Sequence, residues 1–496
     1  MLKRLVFITL FISCSATSAF SQTPADNWYF GEYVGIRFEN DTVIQLANSE
    51  ALSDNCVVTM SEDSGELYFY SGTWTGGGGG ELALWNKEHE VMPNGTNILA
   101  QSASTQGIGV CPNPANPIEH YIFTLHRPPT EYVVSLYYSV LDHDEDGGLG
   151  DIDPNQKNVF VIDSLAEKMA IVQKTSEDGY WIIVHQLPGN ELYVYELDSN
   201  GLNPSPQVFY GALSESYQGR VGYMKASPDG QKLAICMRVD GGYVEIFDFD
   251  QSTGSISNPI AIRFNQMGGG GGWPYALEFS PNSQLLYACD ASTFSHQSIL
   301  YQWNVSVHDS ASIANSIDTI SDTSYLAGGM QIGPDSMLYL SNEFGLSRIE
   351  NPNIDGIGCN LVNEFIDLNG RTGACLPYFP TYSLNRYVPD TTDTATTDTT
   401  DSTISVQEIY NSQPYVPYLD VFPNPTGSIS WINMKVEGQV RIDLMDLAGR
   451  RIRTVYEGLS SNSDVIESDL SDLAPGVYVY SLSTESGQYN HKVVKR

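Results

Sequence analysis

A short turn motif recurs six times in the first four-fifths of the chain, and a strand-like run follows each copy. Its fullest forms combine Pro with Asp or Asn and a closing Gly or Ser, as in Ser227-Pro228-Asp229-Gly230. In such a turn Pro sets φ, Asp or Asn hydrogen-bonds the backbone, and Gly or Ser closes the bend. The copies occupy residues 61–64, 111–114, 176–179, 227–230, 280–283 and 333–336, so their starts are 50, 65, 51, 53 and 53 residues apart.

A unit of about four strands repeated every ~50 residues is typical of a β-propeller blade. Strands lead into and out of the motifs, so six motifs predict six blades. The N-terminal run NWYFGEYVGIRFENDTVIQLA adds roughly three strands, and LPYFPTYSLNRY adds a lead-in strand near residue 388. Joined, these ends predict a seventh blade that removes a free sheet edge. We therefore expect a propeller over residues 27–388 with seven blades; six or eight blades, or an irregular array of β-sandwiches, are the alternatives.

The composition agrees with an all-β protein, because Tyr favours strands whereas Gly and Pro favour turns, and the chain holds 30 Tyr, 44 Gly and 25 Pro. Its formal charge is −35, from 59 acidic and 24 basic side chains. Polyanions are repelled by such a protein, so we expect neither nucleic acid nor an anionic membrane surface as a partner.

Residues 1–21 follow the secretory signal pattern. Lys3 and Arg4 precede a short apolar core, and Ala19-Phe20-Ser21 offers a cleavage site before Gln22. No other apolar run is long enough for a transmembrane segment. We expect a secreted protein, located in the extracellular medium or at the outer-membrane surface.

The cysteines fall into two groups. Cys236 and Cys289 each lie nine residues after the start of their turn motif, so they occupy equivalent places in adjacent blades. This placement predicts buried thiols beyond disulfide reach of one another. Cys359 and Cys375 close a short loop and are a candidate disulfide.

The local site signals are weaker. In DHDEDGGLGDID (142–153), Asp142, Asp144, Asp146 and Asp153 match positions one, three, five and twelve of a Ca²⁺ loop, with Gly at position six. The twelfth ligand is Asp rather than Glu and no helices flank the loop, so a solvated acidic turn is the alternative.

Two glycine runs, 76–80 and 268–272, adjoin Trp74 and Trp273, which could form a stacking platform at one rim of the ring. Flexible rim loops are the alternative. The chain lacks the His-Glu-x-x-His, Gly-x-Ser-x-Gly and Cys-x-x-Cys motifs, although a propeller can assemble an active site from separate blades.

Residues 389–413 are rich in Thr and Asp and nearly free of apolar side chains, which predicts an extended linker. Its Asp-Thr-Thr and Asp-Thr-Ala repeats resemble the O-glycosylation signal of Bacteroidetes bacteria, and an unmodified spacer is the alternative.

Residues 418–496 alternate apolar and polar positions between tight turns, which predicts a small immunoglobulin-like β-sandwich. The blocks VFPNPTGS, VRIDLMDLAGRRI, DLSDLAPGVYVYSL and HKVVKR resemble, in order and spacing, the type A sorting domain of the type IX secretion system. The resemblance implies a translocon and a sortase as partners, and its basic end is a candidate patch for the translocon to recognise. The matching residues are Pro423, Asn424, Pro425, Gly427, Gly449, Arg450, Gly476, Tyr478, Lys492, Lys495 and Arg496.

The opening NWYFGEYVGIRF, WNKEHEVMPNGT (85–96), GGLGDI (147–152) and the late Cys…LPYF arrangement resemble surface propeller proteins of Bacteroidetes bacteria. That resemblance implies fold and location but no chemistry. We expect a binding, adhesion or structural protein that engages polysaccharide or surface proteins. The alternative is a polysaccharide hydrolase or lyase with its site at the central opening, and Ca²⁺ is the candidate cofactor.

Overall fold

The computed structural model describes residues 23–380 and 418–495 with internal gaps, and the chain divides into two compact units, 1–391 and 392–496. The predicted signal peptide and linker lie outside the described residues. The gaps are 40–41, 54–56, 63, 75–80, 101–103, 129–132, 240, 265–272, 291–297, 325–327, 343, 375, 423–428, 436, 447–449, 462–463 and 485–486.

The first unit begins with two three-stranded antiparallel sheets. The N-terminal run predicted to supply three strands supplies all three strands of the first sheet, which confirms that prediction. The strands are β1 (Asn27–Phe30), β2 (Val34–Glu39) and β3 (Thr42–Leu46), then β4 (Thr59–Ser61), β5 (Leu67–Trp74) and β6 (Glu81–Asn86).

Nine strands form the next sheet, in which one 15-residue strand, β11, joins two four-stranded groups. The first half of β11 pairs with β9 and the second half with β12, and register shifts between Phe160 and Met169 bend the strand. The strands are β7 (Ile108–Asn113), β8 (Asn116–His126), β9 (Val134–Asp142), β10 (Asp151–Ile152), β11 (Val159–Gln173), β12 (Tyr180–Gln186), β13 (Gly189–Asp198), β14 (Gly201–Leu202) and β15 (Gln207–Glu215).

Three regular four-stranded sheets complete the unit, each with its strands side by side in chain order. One α-helix, α1 (Ser310–Asn315), and 3-10 turns at 154–156, 217–219 and 356–359 lie between strands. The strands are β16 (Met224–Ala226), β17 (Lys232–Met237), β18 (Tyr243–Asp250) and β19 (Ser255–Arg263); β20 (Pro274–Phe279), β21 (Leu285–Asp290), β22 (Ser298–Asn304) and β23 (Asp318–Ser324); and β24 (Met330–Ile332), β25 (Leu338–Asn342), β26 (Gly345–Ile349) and β27 (Leu361–Asp367).

The predicted turn motifs lie where two antiparallel strands meet, although in the copy at 111–114 the first three residues still belong to β7. This placement confirms the repeat. In the copy at 227–230, Gly230 N donates to Ser227 O at 2.8 Å and Gln231 N donates to Asp229 Oδ1 at 3.0 Å. The closing residue adopts a left-handed conformation, with φ of 67° at Gly230 and 61° at Ser283. This geometry explains why Gly, or a small polar residue, ends the motif.

The sheets close into a ring. Trp28 of β1 contacts Tyr339 of β25 with ring centroids 5.5 Å apart, so the first sheet packs on the last. Phe379, after β27, lies 5.9 Å from Trp28 in the same buried cluster. The structure therefore has the closed ring of a β-propeller rather than an irregular array of sandwiches.

The predicted lead-in strand is not a strand over the part that is described. Residues 376–380 run through the ring without ladder pairing, and residues 381–388 lie outside the described residues. If the nine-stranded sheet is divided at β11, the described strands of the first unit form seven groups. The group that was predicted to join the two ends of the domain, β1–β3, has no described lead-in strand. The blade number therefore stays a prediction.

Buried apolar side chains fill the spaces between neighbouring sheets, as expected for strands covered on both faces. Cys236 and Cys289 lie in one such cluster at 0% and 1% exposure, which confirms the prediction that they are core thiols.

The second unit contains two antiparallel sheets that share a buried core, which confirms a β-sandwich. The sheet orders are β28-β29-β32 and β31-β30-β33-β34. Its core includes Ile432, Ile442, Leu444 and Leu482. The strands are β28 (Tyr418–Phe422), β29 (Ile429–Lys435), β30 (Glu437–Asp446), β31 (Arg451–Ser461), β32 (Asp464–Asp469), β33 (Gly476–Thr484) and β34 (Gly487–Lys495).

Candidate functional site

The centre of the ring is filled by side chains. Lys225 Nζ lies 2.9 Å from Glu278 Oε2, donates to Gln331 Oε1 at 2.7 Å, and stands 5.0 Å from the centre of the Tyr378 ring. Ile171 N donates to the Tyr378 hydroxyl oxygen at 2.8 Å, and Tyr378 N donates to Val57 O at 3.1 Å. These bonds join residues from distant parts of the chain across the ring axis.

Little space remains at this centre. Two small cavities around Lys225, Gln331 and Tyr378 each measure about 10 Å³, which is room for about one water molecule. Among the described residues the centre holds one carboxylate, Glu278, and that carboxylate is paired. A glycoside hydrolase of the usual kind needs two carboxyl groups flanking its substrate.

In each four-stranded sheet, the connection that leads into the first strand and the connection between the second and third strands lie on the same face of the ring. We call this the loop face. Backbone bonds join neighbouring sheets near this face: Glu32 N donates to Arg371 O at 2.7 Å, and Tyr223 N, just before β16, donates to Tyr275 O of β20 at 2.7 Å. Antiparallel pairing places all of these connections at the same edge of their sheets.

Among the described residues, four large aromatic side chains are exposed on the loop face. They lie between different strand pairs, so they come from separate sheets around the ring. Their exposed fractions are 54% for Tyr33, 41% for Tyr217, 43% for Trp273 and 54% for Phe344.

Trp273 is held in place by a neighbouring arginine. The Arg238 guanidinium lies 4.4 Å from the centre of the indole ring, and this cation–π contact fixes one side of it. A Cβ at Gly242 would approach Pro274 Cδ to 2.6 Å, so the glycine lets the two loops meet. The other members of the predicted platform, the Trp74 side chain and both glycine runs, lie outside the described residues, so the platform stays a prediction.

A cluster of buried ionisable groups lies beneath Arg238. Lys168 Nζ lies 2.5 Å from Glu215 Oε2, and both side chains are fully buried. Glu215 Oε1 accepts from Arg238 N at 2.5 Å, and His185 Nδ1 lies 3.6 Å from Glu215 Oε2. Burial, with the nearby Lys168 charge, holds the pKa of His185 well below its usual value, so His185 is neutral.

Sequence reasoning did not find this cluster, because its members lie on β11, β12 and β15 and just after β17. One signal was available. Glu167-Lys168 is a charged pair within an otherwise apolar stretch of β11, and both residues are nearly fully buried. Buried charges of this kind require partners from elsewhere in the fold.

Glu245, in the same region, gives a testable pH dependence. Burial raises its pKa from 4.5 to about 7, although the Ala212 and Leu213 N–H groups oppose the shift. The unfolded chain loses this proton near pH 4.5 and the folded chain near pH 7, so ionisation destabilises the fold as the pH rises through that window. Between pH 4 and pH 8, we expect the free energy of unfolding of Glu245→Gln to rise by about 3 kcal/mol relative to that of the parent. The free energies of unfolding are measured with urea at each pH. If those of the parent and the variant change in parallel with pH, the prediction is wrong.

The acidic loop has a structural role in the described geometry. Asp142 Oδ1 accepts from Asp144 N at 2.9 Å, and Asp153 Oδ1 accepts from Asn155 N at 2.8 Å. Asp151 accepts from Asn94 N at 2.8 Å and from Asn94 Nδ2 at 2.7 Å, which joins the two blocks 85–96 and 147–152. No group of three metal-ligating side chains is gathered among the described residues. Calcium binding by Asp142, Asp144, Asp146 and Asp153 therefore stays a prediction.

Two further predicted features are partly described. Cys359 is buried, which raises the pKa of its thiol to about 11, but Cys375 lies outside the described residues, so the disulfide stays a prediction. His120 and His143 contact each other at 2.8 Å, and burial lowers their pKa values to about 3 and about 4. Because His143 also stacks on Tyr68 at 3.8 Å, we interpret this pair as core packing.

In the second unit, the two last sorting blocks form adjacent strands. Gly476 pairs with Lys495 and Tyr478 with Val493, and Tyr478 O–H donates to Ala474 O at 2.8 Å. Lys495 is only 9% exposed, so this charge is not displayed as the proposed basic patch would require. Arg450 is exposed, and the Lys492 side chain is not described. Pro423, Asn424, Pro425, Gly427, Gly449 and Arg496 lie outside the described residues.

Several solved structures are similar to the chain. One is a predicted 6-phosphogluconolactonase from Bacteroides fragilis (12% identity, 74% of this chain and 99% of that chain, TM-score 0.45). A second, from Bacteroides uniformis, has the same description (14% identity, 71% and 99%, TM-score 0.46). A third is the Dos1 propeller (9% identity, 71% and 86%, TM-score 0.36). No curated protein matches the chain.

The second unit has a clear relative. Residues 420–496 match the secretion system C-terminal sorting domain family. No helix in the described part of the chain is long and apolar enough to cross a membrane. The chain is thus a β-propeller protein with a type IX secretion sorting domain, which marks it as secreted or displayed at the cell surface.

Proposed function

We propose that the propeller is a cell-surface binding domain whose loop face recognises polysaccharide. The observation that carries the proposal is the set of four exposed aromatic side chains on this face, above a centre that is filled. Sugar rings present flat C–H surfaces that pack against aromatic rings, so aromatic residues spread around a ring suit an extended glycan.

The carboxylates beside the loop face favour binding over hydrolysis. Glu167 and Glu215 are both buried, and each is paired with a cation: Glu167 with Arg220 at 3.0 Å and Glu215 with Lys168 at 2.5 Å. A carboxylate engaged in this way is poorly placed to transfer a proton to a glycosidic oxygen. The hydrolase or lyase alternative is therefore an outcome of the test below.

The test uses the chain from residue 22 to its end, with a panel of plant, algal and bacterial polysaccharides, with and without Ca²⁺. Retention on the glycan and release of soluble fragments are both recorded. We expect retention without fragments. Release of fragments would support the enzyme alternative, loss of retention with a chelator would support calcium binding, and absence of any interaction would overturn the proposal.

Trp273→Ala is expected to weaken retention about tenfold, equivalent to about 1.4 kcal/mol, because a stacking surface is lost. Tyr210→Ala is the matched control, since Tyr210 is 62% exposed but lies on β15 at the outer edge of its sheet. Both changes should leave the free energy of unfolding within about 0.5 kcal/mol of the parent. Equal effects of the two changes on retention would show that the loop face is not the binding surface.

A further inference from the structure

Arg238 lies against Trp273 on the loop face, and Arg220 and Arg127 lie nearby around Glu167. We call Arg127, Arg220 and Arg238 the guanidinium cluster. They come from the connection after β8, the connection before β16 and the connection after β17. All three side chains are partly exposed. In a chain with 59 acidic and 24 basic residues, such a grouping of cations requires an explanation.

The cluster is organised around one buried carboxylate. Arg220 Nε lies 3.0 Å from Glu167 Oε1, and Glu167 N donates to Arg220 O at 2.8 Å, so the backbone also holds this arginine. Burial raises the pKa of the Glu167 carboxyl group, and the nearby charges of Arg220 and Arg127 oppose that shift. Two cations therefore share one anion.

Arg238 has no carboxylate partner of its own among the described residues. Glu215 accepts from its backbone N–H, while the carboxylate charge of Glu215 is engaged by Lys168 at 2.5 Å. The guanidinium of Arg238 forms no salt bridge with any described residue, and it lies against Trp273. Lys168 is thus paired with Glu215 and Arg220 with Glu167, which leaves the Arg238 charge available to an anionic ligand.

Two lysines of the first unit lie on the other side of the ring from these arginines. Lys174 and Lys232 flank turn motifs, which lie at the opposite face of the ring. Arginine differs from lysine in its planar fork of donors, which binds carboxylate and sulfate groups through two parallel bonds. Arginine beside an exposed aromatic ring therefore combines recognition of an anionic group with stacking on a sugar ring.

We propose that the guanidinium cluster and Trp273 select polysaccharides that carry carboxylate or sulfate groups. The proposal rests on the proposed function and names its ligand class. The overall charge of −35 does not prevent such binding, because exposed charges more than about 8 Å apart are largely screened at physiological ionic strength. Attraction within the cluster then dominates, and repulsion by the rest of the molecule limits the affinity at low salt.

The test compares polygalacturonate with its fully methyl-esterified form, and a sulfated agaran with its desulfated form, in the presence of chelator. Each pair differs in charge while the sugar backbone is kept. We expect the full chain to bind a charged polymer at least tenfold more tightly than its neutral partner. Equal binding to charged and neutral forms would overturn this proposal but leave the proposed function standing, whereas binding to none of the polymers would count against both.

Arg238→Met removes one guanidinium and keeps most of the side-chain volume. We expect it to weaken binding of the preferred charged polymer at least fivefold more than it weakens binding of the neutral form. Lys232→Met is the control, since it changes the net charge equally at the opposite face. If both variants weaken binding equally, the effect is one of overall charge and the cluster is not the site. Urea unfolding of both variants checks that the fold is retained.

Discussion

Replacing Glu278 with Ala is expected to lower the free energy of unfolding by about 3–5 kcal/mol. The substitution leaves the Lys225 ammonium group buried at the centre of the ring with Gln331 Oε1 and two aromatic rings as its remaining partners. The Glu278 and Lys225 side chains are only 4% and 5% exposed, so the ammonium group loses its counter-charge in a buried site. Urea unfolding of the parent and the variant, followed by circular dichroism, measures the change.

The matched control for this prediction is the double substitution Lys225→Met with Glu278→Leu. Apolar side chains of similar volume remove both charges, and such replacements are often neutral or stabilising. We expect the double variant to be much closer to the parent than Glu278→Ala is. If the single and double variants were equally destabilised, lost packing rather than an unpaired charge would be responsible.

Trp28→Ala is expected to cost about 3–5 kcal/mol of stability, because this side chain closes the ring. Trp28 is fully buried, its Nε1 donates to Ala25 O at 2.9 Å, and its ring lies 5.0 Å from Phe38 and 5.9 Å from Phe379. The same urea titration measures the effect. We also expect faster proteolysis of the N-terminal strands, since their packing against the last sheet is lost.

Trp28→Phe is the conservative comparison and should recover most of that loss. Trp273→Ala removes an identical side chain that is 43% exposed, so it should change stability little. A Trp28→Ala variant as stable as Trp273→Ala would show that closure does not depend on this contact.

The periodic part of the fold could be predicted from the sequence because it depends on local chemistry. Turn residues such as Pro228 and Gly230 fix local backbone angles, and the strands on either side follow from them. The 65-residue spacing between the second and third motifs was visible but unexplained. The structure accounts for it by β10 and the 3-10 turn at 154–156, which are inserted between β9 and β11.

The candidate site could be predicted only in part, because its residues meet through the closure of the ring. Trp273 was identified from its position beside a glycine run. Arg238 and Glu215 were not, because they belong to different sheets. Arg238 follows β17, Glu215 ends β15, and Arg238 N donates to Glu215 Oε1. Tyr378 was assigned to a strand, whereas its side chain crosses the ring to Ile171, 207 positions earlier in the chain.

Because the two ends of the propeller lie close together, we expect the domain to tolerate circular permutation. Residues 27–30 and 376–379 lie in one buried cluster, so a short linker could join them without distorting the sheets. New termini could then be placed in an exposed turn such as Asp198–Gly201, far from the loop face. A circular permutant of this kind should retain the ring, because the packing between sheets, and not the order in which the chain visits them, holds it closed.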